Sequence, residues 1–161
     1  MEEIKYKTIK RVRRMTQDEC RREGWFDVPT PMCLEIGDTH LAYAASLGMN
    51  HGAELIIYDT ETGRSCSLGR ESHFLGISSL EGFIVSDLTY LPERVYQLDV
   101  LPPSECTAFL LNYRYYVYPL FGGNTAALVG YDKSIGREVY YYPHSQRYPR
   151  SESLTGISYY Y

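Results

Sequence analysis

The chain has 161 residues, 44% hydrophobic and 22% charged, which suits one globular domain with a core of its own. A formal net charge of −4 argues against a dedicated nucleic-acid binder, which carries a basic domain overall. The apolar runs are too short to span a bilayer, the opening residues are charged, and Cys20, Cys33, Cys66 and Cys106 form no CxxC pair. A cytoplasmic protein with reduced, mostly buried thiols is therefore expected.

The first unit, residues 4–24, is basic. Lys5, Lys7, Lys10, Arg11, Arg13, Arg14, Arg21 and Arg22 are half of the 16 basic residues of the chain. Such a segment suits an anionic partner, the acidic remainder of its own chain, or an edge strand protected by charge. Ile4, Tyr6, Ile9 and Val12 alternate with charges and slip once, the pattern of an exposed strand with a bulge. Thr16-Gln17-Asp18-Glu19 is a capping box, Met15 is placed as its hydrophobic staple, and Gly24 closes a short helix. Trp25 stands at the helix exit before the proline-bounded link 28–31, where it packs the helix onto a sheet.

From residue 33 the signals are β. Cys33–Ile36 and His40–Tyr43 form a hairpin around Gly37-Asp38; Leu55–Tyr58 and Arg64–Leu68 form another around Asp59–Gly63. Residues 82–86 and 94–100 read as two more strands around Leu91-Pro92, and 107–111 as a short strand or helical turn. Strands at 113–118, 127–131 and 137–142 follow, and the tail 143–161 reads as irregular.

Two stretches say the same thing. Leu55, Tyr58, Asp59, Gly63 and Arg64 recur 73 residues on as Leu128, Tyr131, Asp132, Gly136 and Arg137, and Gly48 and Asn50 recur 74 on as Gly122 and Asn124. The repeat predicts two equivalent hairpins, in units 33–69 and 107–142. A Tyr-Asp-x-x-x-Gly-Arg turn is similar to that of a β-propeller blade, but two copies so far apart cannot close a propeller. The fold expected is mainly β, a β-rich α+β domain. A duplicated hairpin unit forms a barrel or a two-sheet sandwich, and one short N-terminal helix packs on it.

Residues 9–55 resemble a group of small prokaryotic proteins to which no activity is attached. The shared elements are Met15-Thr16-Gln17-Asp18-Glu19, Glu23-Gly24-Trp25, Pro31, Gly37-Asp38 and Asn50-His51-Gly52. The resemblance implies a small β-rich domain and nothing catalytic.

The sequence offers little chemistry. His40, His51, His73 and His144 have no HxH, HExxH or Cys/His spacing, so no metal is expected. No nucleophile elbow, phosphate loop or dinucleotide fingerprint occurs, and no cofactor is expected. Asp59 and Asp132 make a symmetric acid pair if the hairpins face each other, but turn capping explains both. No catalytic residue is assigned.

Tyrosine is the better lead. The chain has 17, of which 12 lie in its last 49 residues. Alternation over 113–118 predicts Arg114, Tyr116 and Tyr118 on one strand face; Tyr140, Tyr142 and Arg147 extend the binding set. The function expected is a non-catalytic protein-binding module, of the inhibitor or immunity-type antagonist kind, whose partner is another protein or a second copy. The alternative is a small enzyme or ligand-binding protein with a cleft between the repeated hairpins.

Overall fold

The computed structural model describes residues 4–22, 24–26, 30–46, 54–59, 61–69, 72–95, 107–120, 126–132 and 136–140. The described strands and α-helix are, in order, β1 (Ile9–Arg14), α1 (Gln17–Arg22), β2 (Met32–Ile36), β3 (His40–Ser46), β4 (Glu54–Asp59), β5 (Arg64–Ser67), β6 (Val85–Tyr90), β7 (Thr107–Leu111), β8 (Tyr115–Leu120), β9 (Ala126–Asp132) and β10 (Arg137–Tyr140), with a 3-10 turn at Ser72–Leu75 before β6. They make two antiparallel sheets, ordered β1-β2-β3-β9-β10 and β6-β7-β8-β4-β5.

Written in that order, the sheets are the same sheet made twice. Strands β1 to β5 correspond in turn to β6 to β10, and each half sends its last hairpin into the sheet of the other. The correspondence extends to irregularities. The β1–β2 register slips between Ile9 and Arg11, and the β6–β7 register slips between Val85 and Asp87. Ile36 pairs nearest the β2–β3 turn with His40, as Leu111 pairs with Tyr115 at the β7–β8 turn. Asp59 pairs with Arg64 and Asp132 with Arg137, with Gly63 at φ 73° and Gly136 at φ 71° closing the two repeated turns.

The halves meet where the chain enters β1 and β6. Thr8 and Ile84 form an isolated antiparallel bridge, flanked by two matched pairs of hydrogen bonds. The Ile9 amide donates to the Phe83 carbonyl (2.8 Å) and the Val85 amide to that of Lys7 (2.9 Å). The Gly82 amide donates to the Ile9 carbonyl (2.8 Å) and the Tyr6 amide to that of Val85 (2.6 Å). Among the described residues this junction is the backbone pairing between the sheets, so they form a sandwich and not a closed barrel.

Alternation along the strands sets the core. Leu34, Ile36, Ala42 and Ala44 of the first sheet meet Leu55, Ile57, Val85, Leu88, Phe109, Leu111, Tyr115 and Val117 of the second in one buried cluster. The outer faces are covered separately. On the first sheet, α1 is held by its capping box: the Glu19 amide donates to Thr16 Oγ1 (3.1 Å), and the Thr16 amide to Glu19 Oε1 (2.7 Å). Gly24 (φ 83°) ends it, with Trp25 N–H donating to the Cys20 carbonyl and Gly24 N–H to that of Arg21. That turn delivers Trp25, 3% exposed, edge-on to Tyr43 with ring centroids 6.2 Å apart. On the second sheet Leu91 and Val95 cover Ala108 and Tyr118 in the corresponding place.

The strands expected at 82–86, 94–100 and 113–118 are corrected. The strand expected at 82–86 runs instead over Val85–Tyr90, because Gly82 takes φ 92° and Phe83 N–H turns back to the Leu80 carbonyl. Arg94 and Val95 lie in a turn closed by Val95 N–H on the Pro92 carbonyl, and residues 96–100 of that expected strand lie outside the described residues. The strand expected from Tyr113 starts at Tyr115, because Asn112 (φ 50°) and Tyr113 (φ 55°) are left-handed. The tail 143–161 also lies outside the described residues.

Candidate functional site

Tyr6 and Tyr113 are central residues of the turns closed by Lys7 N–H on the Ile4 carbonyl and Arg114 N–H on the Leu111 carbonyl, and what the fold does not account for is their exposed rings. Both are left-handed, at φ 69° and 55°, a conformation that costs an L-residue roughly 1–2 kcal/mol and that tyrosine rarely adopts. Their rings pack on little, being 62% and 71% exposed. The duplicated fold supplies its own control. The position matching Tyr6 is Gly82, where φ 92° is natural for glycine, and the position matching Tyr113 is Asp38, which is not left-handed. The same junction is thus built once without aromatic rings and once with two.

The chain brings these tyrosines together across its two halves. Tyr6 precedes β1, and its amide bonds to Val85 at the start of β6. Tyr113 sits in the β7–β8 turn, where Asn112 and Ile84 hydrogen-bond twice: Asn112 N–H to the Ile84 carbonyl, and Ile84 N–H to Asn112 Oδ1, each at 2.9 Å. Tyr6 above all pushes the Tyr113 phenol's pKa up, with Asp87 adding to the rise and Lys5 opposing it. Lys5 Nζ stands 5.4 Å from the centre of the Tyr6 ring. Ile84, 43% exposed, bridges Thr8 on one side and hydrogen-bonds Asn112, the neighbour of Tyr113, on the other. The result is an exposed aromatic and aliphatic patch with the Lys5 cation beside it.

The binding face read from alternation is corrected. Tyr115 and Val117 do share one face of β8 and Tyr116 and Tyr118 the other, but Tyr118 is only 1% exposed, beneath Leu91 and Val95. Burial pushes its pKa up to about 12. Tyr116 is half-buried against the same cluster. Arg114 does not join them, because it belongs to the turn before β8 and reaches back to Asp59. Of the other candidates, Tyr140 lies in β10, and Tyr142 and Arg147 lie outside the described residues.

Asp59 is a structural anchor. Its carboxylate is 2% exposed and takes both Arg114 Nε and Nη2 at 2.9 Å, while Oδ1 also accepts the Glu61 amide at 2.9 Å. The Gly63 amide donates to its carbonyl at 2.8 Å. Arg114 foremost holds its pKa down at about 2, against the opposing effect of burial. A carboxylate so engaged has no oxygen free for proton transfer. His40, the match of Tyr115, accepts or donates one bond at Nδ1 with Thr39 Oγ1 (2.8 Å) and is 4% exposed.

Much of the basic segment serves the molecule itself. Arg13 bonds Glu35 through Nε (2.6 Å) and Glu19 through Nη1 and Nη2 (2.9 Å each), tying α1 to the sheet. Lys10 pairs with Asp38, Arg14 donates to the Thr30 carbonyl, and Arg21 pairs with Asp18. Cys20, Cys33 and Cys66 are buried and in no disulfide, and burial above all pushes Cys33 up to about 12, which keeps it an inert thiol. Among the described residues no three His, Cys, Asp or Glu side chains gather as a metal would need, and no helix is long and apolar enough to cross a membrane.

Sequence reading missed Tyr6 and Ile84, and it placed Tyr113 on a strand. The signal was present: at the spacing that joins β1 to β6, glycine stands opposite Tyr6. Comparison with family models, with curated proteins and with solved structures gives no match.

Proposed function

We propose that this is a non-catalytic protein-binding module whose contact surface centres on Tyr6, Tyr113 and Ile84. The observation that carries the reading is the choice of residue at two turns: exposed tyrosines stand in left-handed backbone where the matching half of the same fold uses glycine and aspartate. Backbone strain of this kind persists where a side chain is needed for something else. Tyrosine supplies large contact area at low entropy cost and is over-represented in interface hot spots. An inhibitor or antagonist of another protein is the form that suits an acidic chain. A cytoplasmic setting is part of the proposal, supported by the buried, unbridged thiols of Cys20, Cys33 and Cys66. A cleft enzyme draws no support from Asp59, whose oxygens are taken by Arg114 and Glu61.

The immobilised 161-residue chain, with and without Tyr6→Gly and Tyr113→Gly, tests the reading against soluble extract of the source cells. Specific capture by the wild type that both glycine variants lose is the expected result. Capture retained by the doubly substituted chain contradicts it.

A further inference from the structure

We propose that Tyr6 and Tyr113 form an oxidative cross-linking site, where a peroxide and a haem peroxidase join the two rings as dityrosine. The site does not depend on what else the rings contact. The backbone sets the two residues side by side. Tyr6 N–H donates to the Val85 carbonyl (2.6 Å) and Tyr113 N–H donates to Ser86 Oγ (2.8 Å), so both are held on consecutive residues at the start of β6. Ile84 braces the same spot, bridged to Thr8 just after Tyr6 and hydrogen-bonded twice to Asn112 just before Tyr113. The side chains sense each other as well, since Tyr6 is the foremost influence on the Tyr113 phenol. These are the two most exposed tyrosines among the described residues, open to an oxidant. Tyr43, Tyr115 and Tyr118 are buried, and Tyr58 and Tyr116, paired across β4 and β8, are half-buried. The matching junction of the other half has Gly82 and Asp38 and offers no pair of phenols.

The chemistry balances with peroxide as the oxidant. Each phenol gives up one electron and one proton, leaving a radical spread onto the ring carbons beside the hydroxyl. A C–C bond then forms between a Cε of Tyr6 and a Cε of Tyr113, and the hydrogen on each of those carbons moves to its own phenol oxygen. The two electrons and two protons that left the rings reduce one peroxide to two waters. One ring comes from the segment before β1 and the other from the β7–β8 turn, so the new bond ties one half of the fold to the other. Two rings tethered in this way meet at an effective concentration on the order of millimolar or more. In a solution of about 1 μM chain, coupling within one molecule therefore outruns coupling between molecules about a thousandfold.

Treating the 161-residue chain at about 1 μM with hydrogen peroxide and a haem peroxidase tests this. The expected product is a monomer lighter by two hydrogens, whose tryptic map joins the peptide carrying Tyr6 to residues 95–114. Fragmentation is expected to place the bond on Tyr113 and not on Tyr96, the other tyrosine of that peptide. Tyr6→Phe and Tyr113→Phe keep each ring and remove its phenol, so the fold is spared and the joined peptide is expected to disappear in both. A monomer oxidised at other tyrosines, with these two peptides unjoined, overturns the proposal. So does a joined peptide that survives Tyr113→Phe, or one found in cross-linked dimers and absent from the monomer.

Discussion

Asp59 illustrates how far a single residue can be read. An aspartate before three residues and a glycine is a turn cap by its type, and it does accept the Glu61 amide. What local sequence cannot show is the guanidinium that arrives from 55 residues away in another hairpin. The pair has a pH signature. The ordinary value of 3.8 falls to about 2 on folding, so the ionised carboxylate favours the native state. That contribution, on the order of 2 kcal/mol, is complete above about pH 5 and fades as pH falls from there toward 2. Denaturant unfolding of wild type and Asp59→Asn at stepped pH should show their difference narrowing over that window. A difference constant from pH 5 to pH 2 would contradict the assignment.

The elements divide by how local their causes are. Helix α1 was legible because each of its signals sits within a few residues: the Thr16–Glu19 box, Gly24 at the exit, and Trp25 after it. The exit geometry aims Trp25 at Tyr43, and its burial at 3% gives the helix its hold on the sheet. Trp25→Ala is expected to destabilise the protein by about 3–5 kcal/mol in denaturant unfolding, the range for deleting a buried large aromatic. An unchanged midpoint would mean that the helix is held elsewhere, by Arg13, Glu19 and Glu35. The face assignment on β8 was half legible for the opposite reason. Period-two alternation separates Tyr115 from Tyr116 correctly, but only the tertiary structure decides that residues 91–95 lie on Tyr118.

At the scale of the whole molecule the repeat was visible in two hairpins and the crossing was not. Matching glycines and aspartates mark equal turns, yet the pairing of β3 with β9 and of β4 with β8 joins residues far apart in the chain and leaves no local trace. Once the ten strands are aligned half against half, each position gains a counterpart that serves the same fold. That comparison separates what folding requires from what it tolerates, and it singles out Tyr6 and Tyr113. The claim that these rings are kept for contact and not for the fold is tested most directly by the melting temperature of Tyr6→Gly, Tyr113→Gly and the double variant. Relief of left-handed strain offsets the added freedom of glycine in the unfolded chain, so each midpoint should stay level or rise by up to about 4 °C. A fall of about 5 °C or more in either single variant would show that the tyrosines hold the fold together, and would contradict the account.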